Sequence, residues 1–192
     1  RIYDEERGYS DAVELADRVL LRDKYLHEST VNHVRFIQCQ SLARLRAPRF
    51  FDEVRKVPEP DRSFLYGFYY RLAGNYAKAE ENLLRVLSRD RRRRDPRAVG
   101  ELVLVYMQSD EYEKALELSR ENYENRPSNP INANNYFACL IMKPRCKDNR
   151  EQLEKIVTRL SIDPSERATE MTDSMRARLI AYYDDDEVES MR

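Results

Sequence analysis

The side chains best suited to chemistry are few: His27, His33, Cys39, Cys139 and Cys146. A zinc site, or a cysteine activated by a histidine, needs its members on one face, and on a helix that means a spacing of three or four. His27 and His33 are six apart, which turns them about 240° around a helix, and Cys39 has the same angular relation to His33. Cys139 and Cys146 have no histidine nearby, and their spacing is not that of a zinc knuckle. The histidines are expected at a hairpin turn and a helix start, Cys139 in the core and Cys146 in a turn. A loop that cradles phosphate needs clustered glycines, whereas Gly8, Gly67, Gly74 and Gly100 stand singly. Acidic pairs such as Asp52-Glu53 and Glu80-Glu81 say nothing in a chain that is 36% charged. No catalytic residue, metal or cofactor is expected, and the chain is read as not an enzyme.

One charge run stands out: Arg89, then Arg91, Arg92, Arg93 and Arg94, with Arg97 beyond. Guanidinium forks bind phosphates and carboxylates bidentately, so Arg91 to Arg94 could form an anion-binding stretch. The plainer reading is a solvated loop whose arginines meet Asp90 and Asp95. A formal net charge of −1 sets up no global field toward nucleic acid or membrane, which disfavours nucleic acid as a partner. No apolar run approaches the ~18 residues of a membrane span, and no secretory signal opens the chain. Three sparse cysteines fit a reducing compartment, so a cytoplasmic location is expected. The chain opens on Arg1 with what looks like the second helix of a hairpin (residues 9–24), and it is read as a domain cut from a longer protein.

The elements that would position these residues are helical hairpins. Gly74-Asn75-Tyr76-Ala77-Lys78-Ala79-Glu80 is echoed 36 positions later by Asp110-Glu111-Tyr112-Glu113-Lys114-Ala115-Leu116, with Tyr70 matching Tyr106 upstream. A repeat of this length is one supersecondary unit that cannot bury its apolar face alone. The pattern resembles the tetratricopeptide repeat family, which places a small residue at position 8, an aromatic at 11, Gly-x-Tyr at 15 to 17, Ala at 20, apolar residues near 24 and 27, and Pro at 32. Counted from Pro60, the chain supplies Gly67, Tyr70, Gly74, Tyr76, Ala79, Leu83 and Val86 in phase. Counted from Pro96, it supplies Tyr106, Tyr112, Ala115 and Pro127, and departs at Val103, Asp110, Ser119 and Asn122. The small residues at 8 and 20 are expected to let the two helices of a hairpin approach closely.

Outside the best-matching repeats, 60–93 and 96–129, the hairpin pattern persists in degenerate form over 1–58 and 130–162. Residues 29–46 read as a first helix whose short partner near Phe50–Val57 ends at Pro58. Pro130 opens another first helix, and Leu153, Ile156, Val157 and Leu160 fall at helical spacing in its partner. Asp163-Pro164 opens a terminal capping helix, 164–183, with Met171, Met175, Leu179 and Tyr182 on it, and the acidic end from Asp184 to Glu189 reads as a fraying tail. The fold class is all-α. The resemblance implies a right-handed α-solenoid of about five hairpins, with 1–192 as a single array.

The resemblance also implies a binding surface, since positions 2, 5, 9, 12 and 13 of each first helix line the concave groove in that family. In the first hairpin these are Asp61, Phe64, Phe68, Arg71 and Leu72. The next supplies Arg97, Gly100, Leu104, Met107 and Gln108. The third supplies Ile131, Asn134, Ala138, Ile141 and Met142. This surface is largely apolar with two flanking arginines, and suits a protein or peptide partner, while Phe64 and Phe68 could equally pack against an adjacent helix. The lysine–asparagine clamp with which some members hold a partner's terminal carboxylate is missing, because Phe64, Phe68, Gly100 and Leu104 stand there. The expected function is a non-enzymatic recognition, scaffold or sensor module. The alternatives are phosphate or nucleic-acid binding through Arg89–Arg97, and an intramolecular regulatory segment prone to self-association. A fainter likeness, in Glu101–Tyr106 and Tyr136–Ile141, is to repeat arrays at the carboxyl end of bacterial multidomain effector or signalling proteins, some of them antiviral.

Overall fold

The computed structural model describes residues 2–89, 95–142, 147–162 and 165–190, and among them the chain is helical with no strand. The first helices are α1 (Ile2–Leu20), α2 (Glu28–Arg44), α3 (Phe50–Val54), α4 (Asp61–Leu72) and α5 (Tyr76–Arg89). They are followed by α6 (Pro96–Gln108), α7 (Tyr112–Asn125), α8 (Pro130–Ile141), α9 (Lys147–Leu160) and α10 (Glu166–Ser190). Contacts divide the chain into two compact units, Arg1–Val105 and Tyr106–Arg192, where the sequence reading has a single array. In the first unit α1 packs on α2, α2 on both α3 and α4, and α4 on α5. In the second, α7 packs on α8, α8 on α9, and α10 on both α8 and α9.

The hairpins turn where the backbone becomes left-handed. Arg46, Gly74 and Asp110 have φ of 51°, 76° and 61°. At each, the amide of the following residue donates to a carbonyl five residues back: Ala47 to Leu42 at 3.0 Å, Asn75 to Tyr70 at 2.9 Å and Glu111 to Tyr106 at 2.8 Å. This closure satisfies carbonyls that a helix end leaves open. Glycine enters the conformation freely, and aspartate tolerates it better than most residues. Asn75 then caps α5 by accepting from the Lys78 amide at 3.2 Å. Asn129 does the same for α8, accepting from Ile131 and Asn132, with Pro130 at the start of the helix, where its missing N–H costs nothing.

Close packing inside the first hairpin follows from small residues facing each other. Gly67 is buried and Ala79 fully so, and a Cβ on Gly67 would stand 2.6 Å from Leu83 Cγ. The positions in α6 and α7 that depart from the pattern are each accommodated locally. Val103 is buried, the Ser119 hydroxyl donates to the Leu116 carbonyl at 3.0 Å, and the Asn122 amide donates to Asn132 Oδ1 at 2.6 Å. Asn132 returns a bond to the Asn122 carbonyl at 3.0 Å. Each buried polar group is thereby paired, which removes most of the penalty for burying it.

Aromatic packing holds the short helix α3, since five residues make too little helix to persist alone. Phe50 is fully buried, stacked on Tyr69 at 4.6 Å and set edge-on to Tyr66. In the second unit Phe137, Leu140, Leu153, Leu160 and Met175 form the core. The terminal helix therefore packs through Met175 and Leu179 as its spacing predicts. It departs from expectation at its end, where the helix continues through the acidic segment to Ser190 in place of a frayed tail. Residues 163 and 164, expected to open it, lie outside the described residues, as do Arg91 to Arg94 and Cys146.

Candidate functional site

The expected groove residues of the first unit come together, but not as an apolar strip. Phe64 and Phe68 are 3% and 2% exposed, which favours packing against an adjacent helix over an open groove wall. Phe64 stacks on Phe36 of α2 at 5.8 Å and lies 6.4 Å from Phe68 on its own helix. The reason is packing between α2 and α4, which a reading of α4 by itself does not include.

Three arginines cover these rings. The Arg97 guanidinium lies 5.2 Å from the Phe36 centroid and 5.1 Å from that of Phe64. Arg44 and Arg71 lie 5.2 Å and 5.6 Å from Phe68. Such contacts are worth roughly 0.5–2 kcal/mol, more as water is excluded. Arg71 also bonds Glu101 at 2.5 Å, and Arg97 bonds Asp61 at 2.8 Å and Asp95 at 2.7 Å. Burial pushes the Asp95 carboxyl up, but bonds from the Arg97 side chain and amide, with the Arg97 charge, outweigh it and hold the group below its ordinary value. Arg44 is exposed and lies over Tyr9 as well as Phe68, with no ion pair among the described residues. Leu104, three positions after Glu101 and seven after Arg97 on α6, is 40% exposed.

In the second unit, Met107 lines a cavity of about 530 Å³ together with Tyr112, Leu116, Arg120, Cys139 and Met142. Met142 and Tyr112 are 59% and 44% exposed there. Gln108 is exposed, Asn134 is half-buried, and Ile141 is half-buried against the core. Of the arginine run, Arg89 lies 3.8 Å from Glu59, and Arg97 is engaged as above. The described ends of the run are therefore already met by acids.

The histidines and cysteines take structural places. His27 caps α2, its Nδ1 accepting from the Ser29 amide at 3.3 Å, while His33 is exposed. Cys39 is fully buried. Desolvation first, then the Glu53 charge, pushes its thiol up to about 12, far from the range of a reactive thiolate. Burial likewise raises the Cys139 thiol. No group of three or more histidine, cysteine or acidic residues that could hold a metal occurs among the described residues.

One polar cluster has no counterpart in the sequence reading. Arg49 grips Asp17 with two bonds, at 2.6 Å and 2.7 Å, and the fully buried Gln38 donates to the same carboxylate at 2.6 Å. The Arg49 bond, more than any other influence, holds the Asp17 carboxyl below its ordinary value. These residues come from three elements and are 21 and 32 positions apart, so no local spacing announces them. No helix among the described residues is long and apolar enough to cross a membrane. No protein-family model matches the chain, and no curated protein matches it.

Proposed function

We propose that the chain is a tetratricopeptide-like α-solenoid acting without chemistry of its own, as a recognition module that captures a protein or peptide partner. Two features support the solenoid reading. The same left-handed turn recurs at Gly74 and Asp110, and helices two apart in the chain pack together in each unit, α2 with α4 and α8 with α10. That is how stacked hairpins bury faces that none could bury alone.

The observation that carries the functional reading is the layer of Arg44, Arg71 and Arg97 over Phe36, Phe64 and Phe68. Arginine is common at interface hot spots because it combines an apolar stem, a flat face and fixed donors. With no ion pair of its own among the described residues, and with Leu104 exposed in the same unit, Arg44 is the residue that a partner carboxylate would meet. The partner is accordingly an acidic segment with apolar anchors.

The test is capture of partners from the cells that make the protein, with and without nuclease, comparing the natural chain with Arg44→Glu and Leu104→Glu. A nuclease-resistant protein, lost in both variants while helicity is unchanged, is the expected result. Capture that ignores both variants would sink the reading. Loss of the captured material on nuclease treatment would move the activity to Arg89–Arg97.

A further inference from the structure

The cavity of about 700 Å³ between α7, α8 and α9 gathers more cations than acids. Arg120 enters it from α7, and Lys155 and Arg159 from α9, against the single carboxylate of Glu124. Several exposed guanidinium groups elsewhere are matched by acids, as in Arg49–Asp17, Arg85–Glu81 and Arg97–Asp61. Arg120 and Lys155 form no ion pair among the described residues. Cations gathered around one concavity repel one another and raise the local concentration of anions. The excess sits in a chain whose net charge is −1, so it is a local arrangement and not a consequence of composition.

The remaining lining is aromatic and apolar. Tyr123 and Tyr136 stack at 5.4 Å with 28° between their planes, and the buried Leu140 and Ile156 also line the cavity. One polar end of the ring pair is held in place, since the Tyr136 hydroxyl donates to Gln152 Oε1 at 2.9 Å. A volume of this size falls within the roughly 300–1,000 Å³ of small-molecule sites, which combine an apolar body with a few fixed polar groups.

We propose that this cavity binds a small phosphate monoester with a planar or apolar body. The phosphate is met by Arg120, Lys155 and Arg159, and the body by the tyrosine pair with Leu140 and Ile156. A phosphate monoester carries close to two negative charges and three strong acceptor oxygens, which suits guanidinium and ammonium donors that have no acid of their own. The site is separate from the arginine-covered face of the first unit and does not depend on the partner reading.

The experiment is titration calorimetry of the whole chain with AMP, adenosine and inorganic phosphate as probes, at low salt and again at higher salt. Expected are saturable AMP binding about tenfold or more tighter than either fragment of it, and weakening with added salt. The double variant Arg120→Ser/Lys155→Ser changes only exposed side chains, so it keeps its helicity and loses about tenfold or more in AMP affinity. A chain with Arg91 to Arg94 changed to serine binds AMP as the natural one does. The proposal is overturned if AMP and adenosine bind alike, if phosphate alone binds as tightly as AMP, if the double variant is unaltered, or if AMP shows no saturable binding up to about 10 mM.

Discussion

Gly74 and Asp110, 36 positions apart, share one left-handed backbone conformation, with φ of 76° and 61°. The amides that follow them close the same bond, Asn75 onto Tyr70 and Glu111 onto Tyr106. Where the second repeat departs most visibly from a glycine pattern, the backbone does not depart at all.

That coincidence predicts opposite effects for two substitutions. Asp110→Gly removes a side chain from a conformation that disfavours it and should stabilise the chain by about 0.5 kcal/mol or more. The Tyr112–Asp110 bond it gives up, at 3.2 Å, is exposed and contributes little in water. Gly74→Ala should cost about 1–2 kcal/mol. Urea denaturation of both variants checks the pair, and a neutral or destabilised Asp110→Gly protein contradicts it.

Close approach of α4 and α5 makes Gly67 intolerant of even one methyl group. Its Cβ would meet Leu83 Cγ at 2.6 Å, Leu83 Cδ2 at 2.8 Å and the Ala79 carbonyl at 3.3 Å. Gly67→Ala should destabilise by about 1–3 kcal/mol through overpacking, against the usual gain from replacing glycine in a helix. Thermal denaturation reads the sign, and a more stable variant would show that the hairpin can open without loss.

Phe68 and Arg44 are in contact yet should answer differently to mutation. Phe68→Ala empties a buried site and should cost about 3–5 kcal/mol, visible as a lower denaturation midpoint. Arg44→Glu changes an exposed side chain, and its structural loss is limited to cation–ring contacts of about 1 kcal/mol. If Phe68→Ala left stability untouched, the burial of that ring would be misplaced.

Acid should weaken the Asp17–Arg49 tie. The Asp17 carboxyl in the folded chain lies below its unfolded value of 3.8, so the unfolded state takes up the proton first as pH falls. The stability it adds is thus fully present above that value and lost as pH drops through the lower folded one. The penalty of Asp17→Asn should be full near neutral pH and fade in acid. Because the side chain is 36% exposed, solvent screening keeps the effect modest. Denaturation of both proteins across this range tests it, and a penalty that does not change with pH would contradict the assignment.

Much of this molecule is written in local order. Helical spacing places the apolar residues of α8 and α9 in the core, and prolines and asparagines mark the starts and stops of several helices. Gly67 opposite Ala79 marks a tight hairpin. These features depend on the 3.6-residue period and on turn chemistry, both of which act over a few residues.

What local order leaves open is which side of each helix ends up covered, and by what. From their own helix Phe64 and Phe68 could line a groove or pack on a neighbour, and in the folded chain Phe36 packs against one of them and arginines from three helices cover the pair. The Asp17–Gln38–Arg49 cluster and the cation-lined cavity of α7, α8 and α9 arise in the same way, from side chains far apart in sequence. Helix periodicity acts over a single turn, whereas burial and charge pairing depend on neighbours that only the packed chain brings within reach.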